Sequence, residues 1–124
     1  MPPVFGLLAV LLAAAVGGCE SDVLETPVEL RGRLVSPNGP EGAAVLELIG
    51  PGLGNARAAS GHLFTRQNGD TLRLVAVLEE AGTVEFVVEW FRKKSRPEVR
   101  VLEVAGGDNA IRGSLSGYRV EFTP

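Results

Sequence analysis

Three features of this 124-residue chain have residue types suited to chemistry: one cysteine, one histidine and one tight run of cations. Cys19 follows a stretch, Val4–Val16, with no polar side chain, and then Gly17-Gly18. With no second cysteine in the chain, its thiol is placed for modification rather than for an internal disulfide. His62 would need a nucleophile such as Ser60, Ser114 or Ser116 and an acid such as Asp70 to serve as a triad base. No Gly-x-Ser-x-Gly elbow presents such a serine, so His62 reads as a strand residue with an ordinary polar role. Zinc needs three or four His, Cys or carboxylate ligands, which one histidine and one cysteine do not supply. Calcium wants several clustered oxygens. Glu79-Glu80 and Asp108-Asn109 are the nearest approach, and both read as turn residues. Glu85 and Glu89 share a strand face about 13 Å apart, too far for a glycosidase pair. Gly50-Pro51-Gly52-Leu53-Gly54 is only a look-alike of a phosphate cradle, because no strand–helix unit surrounds it. These absences predict no enzyme, no cofactor and no metal. The cationic run, Arg92-Lys93-Lys94-Ser95-Arg96, follows Trp90-Phe91. Arg92, Lys93, Lys94 and Arg96 are therefore the candidate contacts for an acidic partner or for anionic headgroups. The competing reading is a solvated loop with Trp90 in the core.

Val16, Gly17, Gly18 and Cys19 fill, one for one, an aliphatic–small–small–cysteine pattern. The first nineteen residues thus resemble a bacterial lipoprotein signal with its lipobox. The apolar segment suits a signal peptide, being shorter than the roughly 20 residues of a spanning helix. The paired glycines also argue against an uncleaved anchor helix. The pattern departs from its family at Met1-Pro2-Pro3, which carries no Lys or Arg. The resemblance implies cleavage before Cys19, a diacylglyceryl thioether on its sulfur and a palmitate-type acyl chain on its new amine. It also implies a cell-envelope protein held on a membrane and facing the periplasm or the exterior. Position 20 is Glu, not the Asp that would favour retention at an inner membrane. The expected organisation is a signal peptide over 1–18, a lipidated polar tether over 19–27 and one domain over 28–124.

All fifteen acidic and twelve basic residues follow residue 18, so the mature part keeps the net charge of −3. Weak acidity excludes the concentrated basic footprint of a nonspecific nucleic-acid binder. Without disulfides, the domain must rest on its hydrophobic core.

The elements that would position these residues follow from a period of two. Val28, Leu30, Gly32 and Leu34 alternate with charged residues, and Val84, Phe86, Val88 and Trp90 alternate with Glu85, Val87 and Glu89. Leu72, Leu74, Ala76 and Leu78 form another such row, and Tyr118, Val120 and Phe122 a last one. This is the signature of strands with one buried face. Ser36–Pro40, Gly50–Asn55, Asn68-Gly69, Ala81-Gly82 and Gly106–Asn109 supply turns, Asn68-Gly69 being the strongest hairpin signal. Between Val99-x-Val101 and Leu102-x-Val104 the phase switches, which predicts a bulge or burial on both faces. No helical period appears. Some eight short strands with turns between them predict an all-β sandwich.

Gly69–Val77, Ala81–Val88, Ala105–Asn109 and Leu115–Val120 resemble, in order and texture, the cohesin-like branch of immunoglobulin-like sandwiches. That resemblance implies a non-catalytic binding or assembly module at the cell surface. The expected partner is another envelope protein, met through a strand edge or loop. Carbohydrate or envelope polymer is the alternative, disfavoured because the aromatic residues are few and mostly in core phase.

Overall fold

A computed structural model describes residues 23–124 of the chain, with side chains from residue 26 onward. Cys19 and the signal segment lie outside the described residues. Eight strands make up the fold: β1 (Val23–Val35), β2 (Glu41–Ile49), β3 (Leu53–Ala58), β4 (His62–Asn68), β5 (Thr71–Gly82), β6 (Glu85–Arg92), β7 (Glu98–Gly106) and β8 (Arg119–Thr123). They form two antiparallel four-stranded sheets, ordered β3-β6-β1-β8 and β4-β5-β2-β7. The chain is an all-β sandwich.

The alternating rows face each other across the two sheets. Leu30, Leu34, Phe86, Val88 and Trp90 from the first sheet pack against Leu46, Leu48, Leu72, Leu74, Ala76 and Val104 from the second. Burying each large apolar side chain contributes about 1.5–3 kcal/mol, and no disulfide assists. Gly32 lies in the core phase of β1, between Phe86 of β6 and Phe122 of β8. Those rings meet edge-on at 6.2 Å between centroids. A Cβ on Gly32 would occupy the space of the Phe86 ring, so the strand lacks a side chain here because an aromatic from its neighbour covers it.

Only the β4–β5 connection stays within one sheet; every other link crosses to the opposite sheet. The hairpin turns on Gly69-Asp70, closing on the Asn68–Thr71 pair. Gly69 has φ +60° and Asp70 stays at negative φ, the type II′ pattern with glycine first. In β7, Glu103 pairs with Val45 and Val101 with Leu46, leaving Leu102 as the extra residue. This bulge accounts for the phase switch: Val104 is fully buried while Leu102 turns to solvent.

Glu79-Glu80, read from the sequence as turn residues, lies within β5, and three further sequence expectations differ from the structure. The sequence places a turn over Gly50–Asn55, but Leu53–Asn55 opens β3, which pairs to β6 through Leu53–Trp90 and Ala56–Val88 with a bulge between. Gly, Asn and Ala have low strand propensity, and the pairing groups on the edge of β6 supply the order. Val28, expected in the core row, is 37% exposed, because it sits at the irregular start of β1. That strand begins at Val23, with a register shift between Val23 and Val28, so it reaches into the polar 19–27 stretch. Third, Ala81-Gly82 does not make the β5–β6 turn. Both residues belong to β5, and Thr83-Val84 carries the chain across to the first sheet.

Gly32→Ala should lower stability by about 1–3 kcal/mol through overpacking. Gly113→Ala, where an added Cβ meets nothing within 4 Å, should be close to neutral. Thermal unfolding of the two variants side by side checks this, and equal melting temperatures would contradict the packing account.

Candidate functional site

The sandwich has two ends of different chemistry and two outer faces of different chemistry. At one end, the β6–β7 loop carries the cationic run. Lys93, Lys94 and Arg96 are exposed and Arg92 is half-buried. Trp90, which precedes them, is 1% exposed and belongs to the core. Its indole Nε1–H donates to Ser95 O at 2.9 Å, and Pro97 is buried. The loop is thus pinned at both shoulders, and its cationic tips stand clear. Arg96 donates to Ser95 O at 3.0 Å, and Lys93, Lys94 and Arg96 have no carboxylate partner among the described residues. Two neighbouring turns complete this end. Gly50 N–H donates to Asp70 O at 2.8 Å and Phe91 N–H to Gly52 O at 2.8 Å. Gly50 faces the Trp90 ring so closely that a Cβ there would lie 2.7 Å from it.

At the opposite end sits Glu41, 1% exposed and the one buried charged side chain among the described residues. Its two oxygens accept four hydrogen bonds. Arg112 donates from Nε at 2.9 Å and Nη2 at 2.6 Å to Oε1. Ser36 Oγ donates to Oε2 at 2.6 Å, and the Tyr118 hydroxyl donates to the same oxygen. Asn38 Nδ2 in turn donates to the Tyr118 hydroxyl at 2.9 Å. Ser36 and Asn38 come from the β1–β2 loop, and Arg112 and Tyr118 from the β7–β8 loop. The carboxylate therefore fastens both sheets at one end. Burial pushes the Glu41 carboxyl up, but the hydrogen bonds from Arg112, Ser36 and Tyr118, with the Arg112 charge, outweigh it and hold the group below its ordinary value of 4.5. An open cleft of about 330 Å³ beside it is lined by Leu34, Ser36, Pro40, Glu41, Thr83 and Val84, among others. Its one ionisable lining group besides the saturated Glu41 is Arg33, so it offers a ligand little free chemistry.

Sequence reasoning passed over Glu41, Arg112, Tyr118 and Ser36 as a group. By parity Glu41 belongs with Ala43, Val45 and Glu47 on the outer face. The register shift between Glu41 and Ala43 reverses that parity and turns the carboxylate inward. Gly42, an isolated glycine within the strand at the shift, where a Cβ would lie 2.6 Å from Gly106 O, is a local hint of it.

The other candidates are dispersed. His62 is exposed, and its Nε2 lies 3.2 Å from Glu79 Oε1. Asp108 Oδ1 accepts the Ala110 N–H at 3.1 Å, which makes Asp108-Asn109 an Asx turn; Asn109 takes φ +66° there. Glu85 pairs with Arg31 at 3.4 Å, and Glu89 Oε1 accepts the Asn55 N–H at 3.0 Å. Among the described residues no cluster of three or more His, Cys, Asp or Glu could hold a metal, and no helix is long and apolar enough to cross a membrane.

The outer faces contrast. That of the first sheet is laced with ion pairs: Arg57 to Glu29, Arg31 to Glu85, and Arg33 and Arg119 to Glu121. Hydrogen bonds from Arg57 and its charge hold Glu29 below the ordinary carboxylate range, and those of Arg119 and Arg33 do so for Glu121. The second sheet's outer face carries Phe64, Val75 and Val45 side by side on β4, β5 and β2. A second row runs Val77, Ala43, Ala105, extended by Ile111, which bridges to Ala105. Phe64 is 62% exposed and Ile111 64%. β4 is also an open edge of seven residues with no proline or lysine, its one guard of the charged kind being Arg66. The hairpin closes on the Asn68–Thr71 pair, so alternate residues Leu63, Thr65 and Gln67 turn their backbone groups toward that edge.

No protein-family model, curated protein or solved structure matches this chain.

Glu41→Gln should destabilise the fold by about 3 kcal/mol, the scale for removing one partner of a buried pair. Because the folded-state pKa lies below the unfolded value, the Glu41 contribution is fully present above about pH 4.5 and is lost as pH falls through the folded pKa. Urea unfolding midpoints from pH 7 down to pH 3 should therefore fall more steeply for the native chain than for Glu41→Gln. Parallel curves would remove Glu41 as the acid-sensitive group.

Proposed function

We propose that this chain is a lipid-anchored, non-catalytic module of a bacterial cell envelope that recognises another protein. Its sandwich is read as the immunoglobulin-like, cohesin-like type, a reading supported by antiparallel sheets whose connections nearly all cross between layers. Anchoring rests on the Val16–Cys19 pattern. Partner recognition rests on one observation above all: one outer face is saturated with ion pairs, whereas the other joins exposed Phe64 and its apolar row to the open β4 edge.

An extended segment of the partner would add to β4, taking main-chain hydrogen bonds from Leu63, Thr65 and Gln67. Its alternate side chains would lie over Phe64 and Val75. This geometry favours a polypeptide over a sugar polymer. Phe64 is the sole exposed large aromatic among the described residues, and one ring makes a poor stacking platform. The non-catalytic reading is supported by the dispersal of His62 and the carboxylates into separate surface pairs.

Two experiments test this. A photo-reactive residue at position 64 of the full-length chain, in its own cell, should give one discrete protein adduct. The same residue at position 31, on the opposite face, should give none. Thr65→Pro, which removes an edge N–H while sparing the β5 ladder, should abolish the adduct at unchanged melting temperature. Polysaccharide adducts, or equal labelling from both faces, would overturn the proposal. For the anchor, Cys19→Ser should abolish palmitate incorporation, and normal labelling of that variant would point to a different attachment.

A further inference from the structure

We infer that the end of the sandwich bearing Arg92–Arg96 rests directly on an anionic phospholipid surface, as a second attachment that also orients the domain. This rests on the proposed lipid anchor at Cys19. The carrying observation is a register pair: Val23, where the described chain begins, lies opposite Arg92. The strand that leads back to Cys19 thus enters the domain beside the cationic loop. Three residues separate Cys19 from Val23, and the four extended steps across them span at most about 14 Å. With acyl chains on Cys19 buried in a bilayer, the Arg92 backbone is held within one or two Debye lengths of the headgroups, where surface charge is felt.

Charge decides which end faces the lipid. Arg92, Lys93, Lys94 and Arg96 occupy four of five consecutive positions without an intervening acid. Arg66, opposite Arg73 on the hairpin whose turn closes this end, adds cationic character, while exposed Asp70 and Glu98 at the same end and Glu20, Asp22 and Glu25 in the leading segment offset part of it. The remote end carries Glu79, Glu80 and Asp108 at its surface. The chain as a whole has a net charge of −3, so an anionic surface would repel it in most orientations. The basic end is where approach is attractive. There the Trp90–Ser95 hydrogen bond and buried Pro97 present the cations on a fixed loop, limiting the ordering cost of contact. Each Lys or Arg near such a surface raises binding by about fivefold. The β4 edge and Phe64 then stand on the side of the upright domain, open to a neighbouring protein.

The test uses full-length lipidated protein in vesicles, with an environment-sensitive label on a single introduced cysteine. The labelled positions are 94, in the loop, and 38, at the remote end. Mass spectrometry first establishes the acyl chains on Cys19. In vesicles containing phosphatidylglycerol, the label at 94 should report headgroup contact and the label at 38 should report water. Contact at 94 should be lost in purely zwitterionic vesicles, at 0.5 M salt, and in Lys93→Glu/Arg96→Glu protein, which should stay vesicle-bound through its lipid. A vesicle-bound, acylated protein whose label at 94 is as wet as that at 38 would overturn this inference alone. So would contact that ignores lipid charge and salt, or a label at 94 that is shielded only when an acidic protein is added. An unmodified Cys19 would overturn the anchor and this inference together.

Discussion

A buried carboxylate sets the most stringent constraint in this fold. Glu41 is out of contact with water at the point where β2 begins, and an uncompensated charge there would cost several kcal/mol. The chain meets that cost with four donors from two loops, themselves joined by the Asn38–Tyr118 hydrogen bond. Arg112 arrives through a β7–β8 loop held by its own backbone bond to Val104 O at 2.8 Å. Tyr118 arrives just before β8, and Ser36 just after β1. A buried ion pair of this kind is a modest source of net stability. Its effect is positional: the carboxylate accepts its full set of bonds only when both sheets have their correct ends in place. In a sandwich whose links nearly all cross between layers, that requirement fixes how the layers meet.

The other end is held by apolar means. Trp90 fills the space above Gly50, and its indole N–H is satisfied by Ser95 O. The same contact carries the packing of the core into the shape of the cationic loop. The domain is therefore directional, with a clasp built on a carboxylate at one end and a rigid basic tip at the other. Its lateral faces are equally unlike. Ion pairs between exposed arginines and glutamates add little stability each, yet they keep the first sheet's face wet and non-adhesive. On the second sheet Phe64, Val75 and Val45 form an apolar row beside an open strand edge, ending at Glu103 and flanked by the Arg73–Glu47 pair. Directionality and facial asymmetry together give each surface of the domain a different chemistry.

Much of this was legible along the chain. The rows Leu72–Ala76 and Phe86–Trp90 announced their buried faces because a strand's side-chain period is local and independent of its partners. The broken phase at Val101–Leu102 announced the β7 bulge for the same reason. Gly69 marked the hairpin, although the turn uses Gly69-Asp70 as its central pair instead of Asn68-Gly69. β3 escaped notice, since Gly54, Asn55 and Ala56 have no intrinsic reason to extend and do so only against β6. Glu41 escaped because a register shift set by β5 and β7 reversed its side.

The sequence by itself determined the all-β class, the buried phase of the main strands, the absence of internal disulfides and the solitary thiol after an apolar segment. These follow from composition and from periods of a few residues, which neighbouring residues suffice to specify. Tertiary structure decided that Glu41, Ser36, Arg112 and Tyr118 meet, that Phe64, Val75 and Val45 line up on one outer face, and that the strand leading back toward Cys19 enters beside Arg92. Each is a contact between positions far apart in the chain, fixed by strand order and register, and no local pattern encodes them.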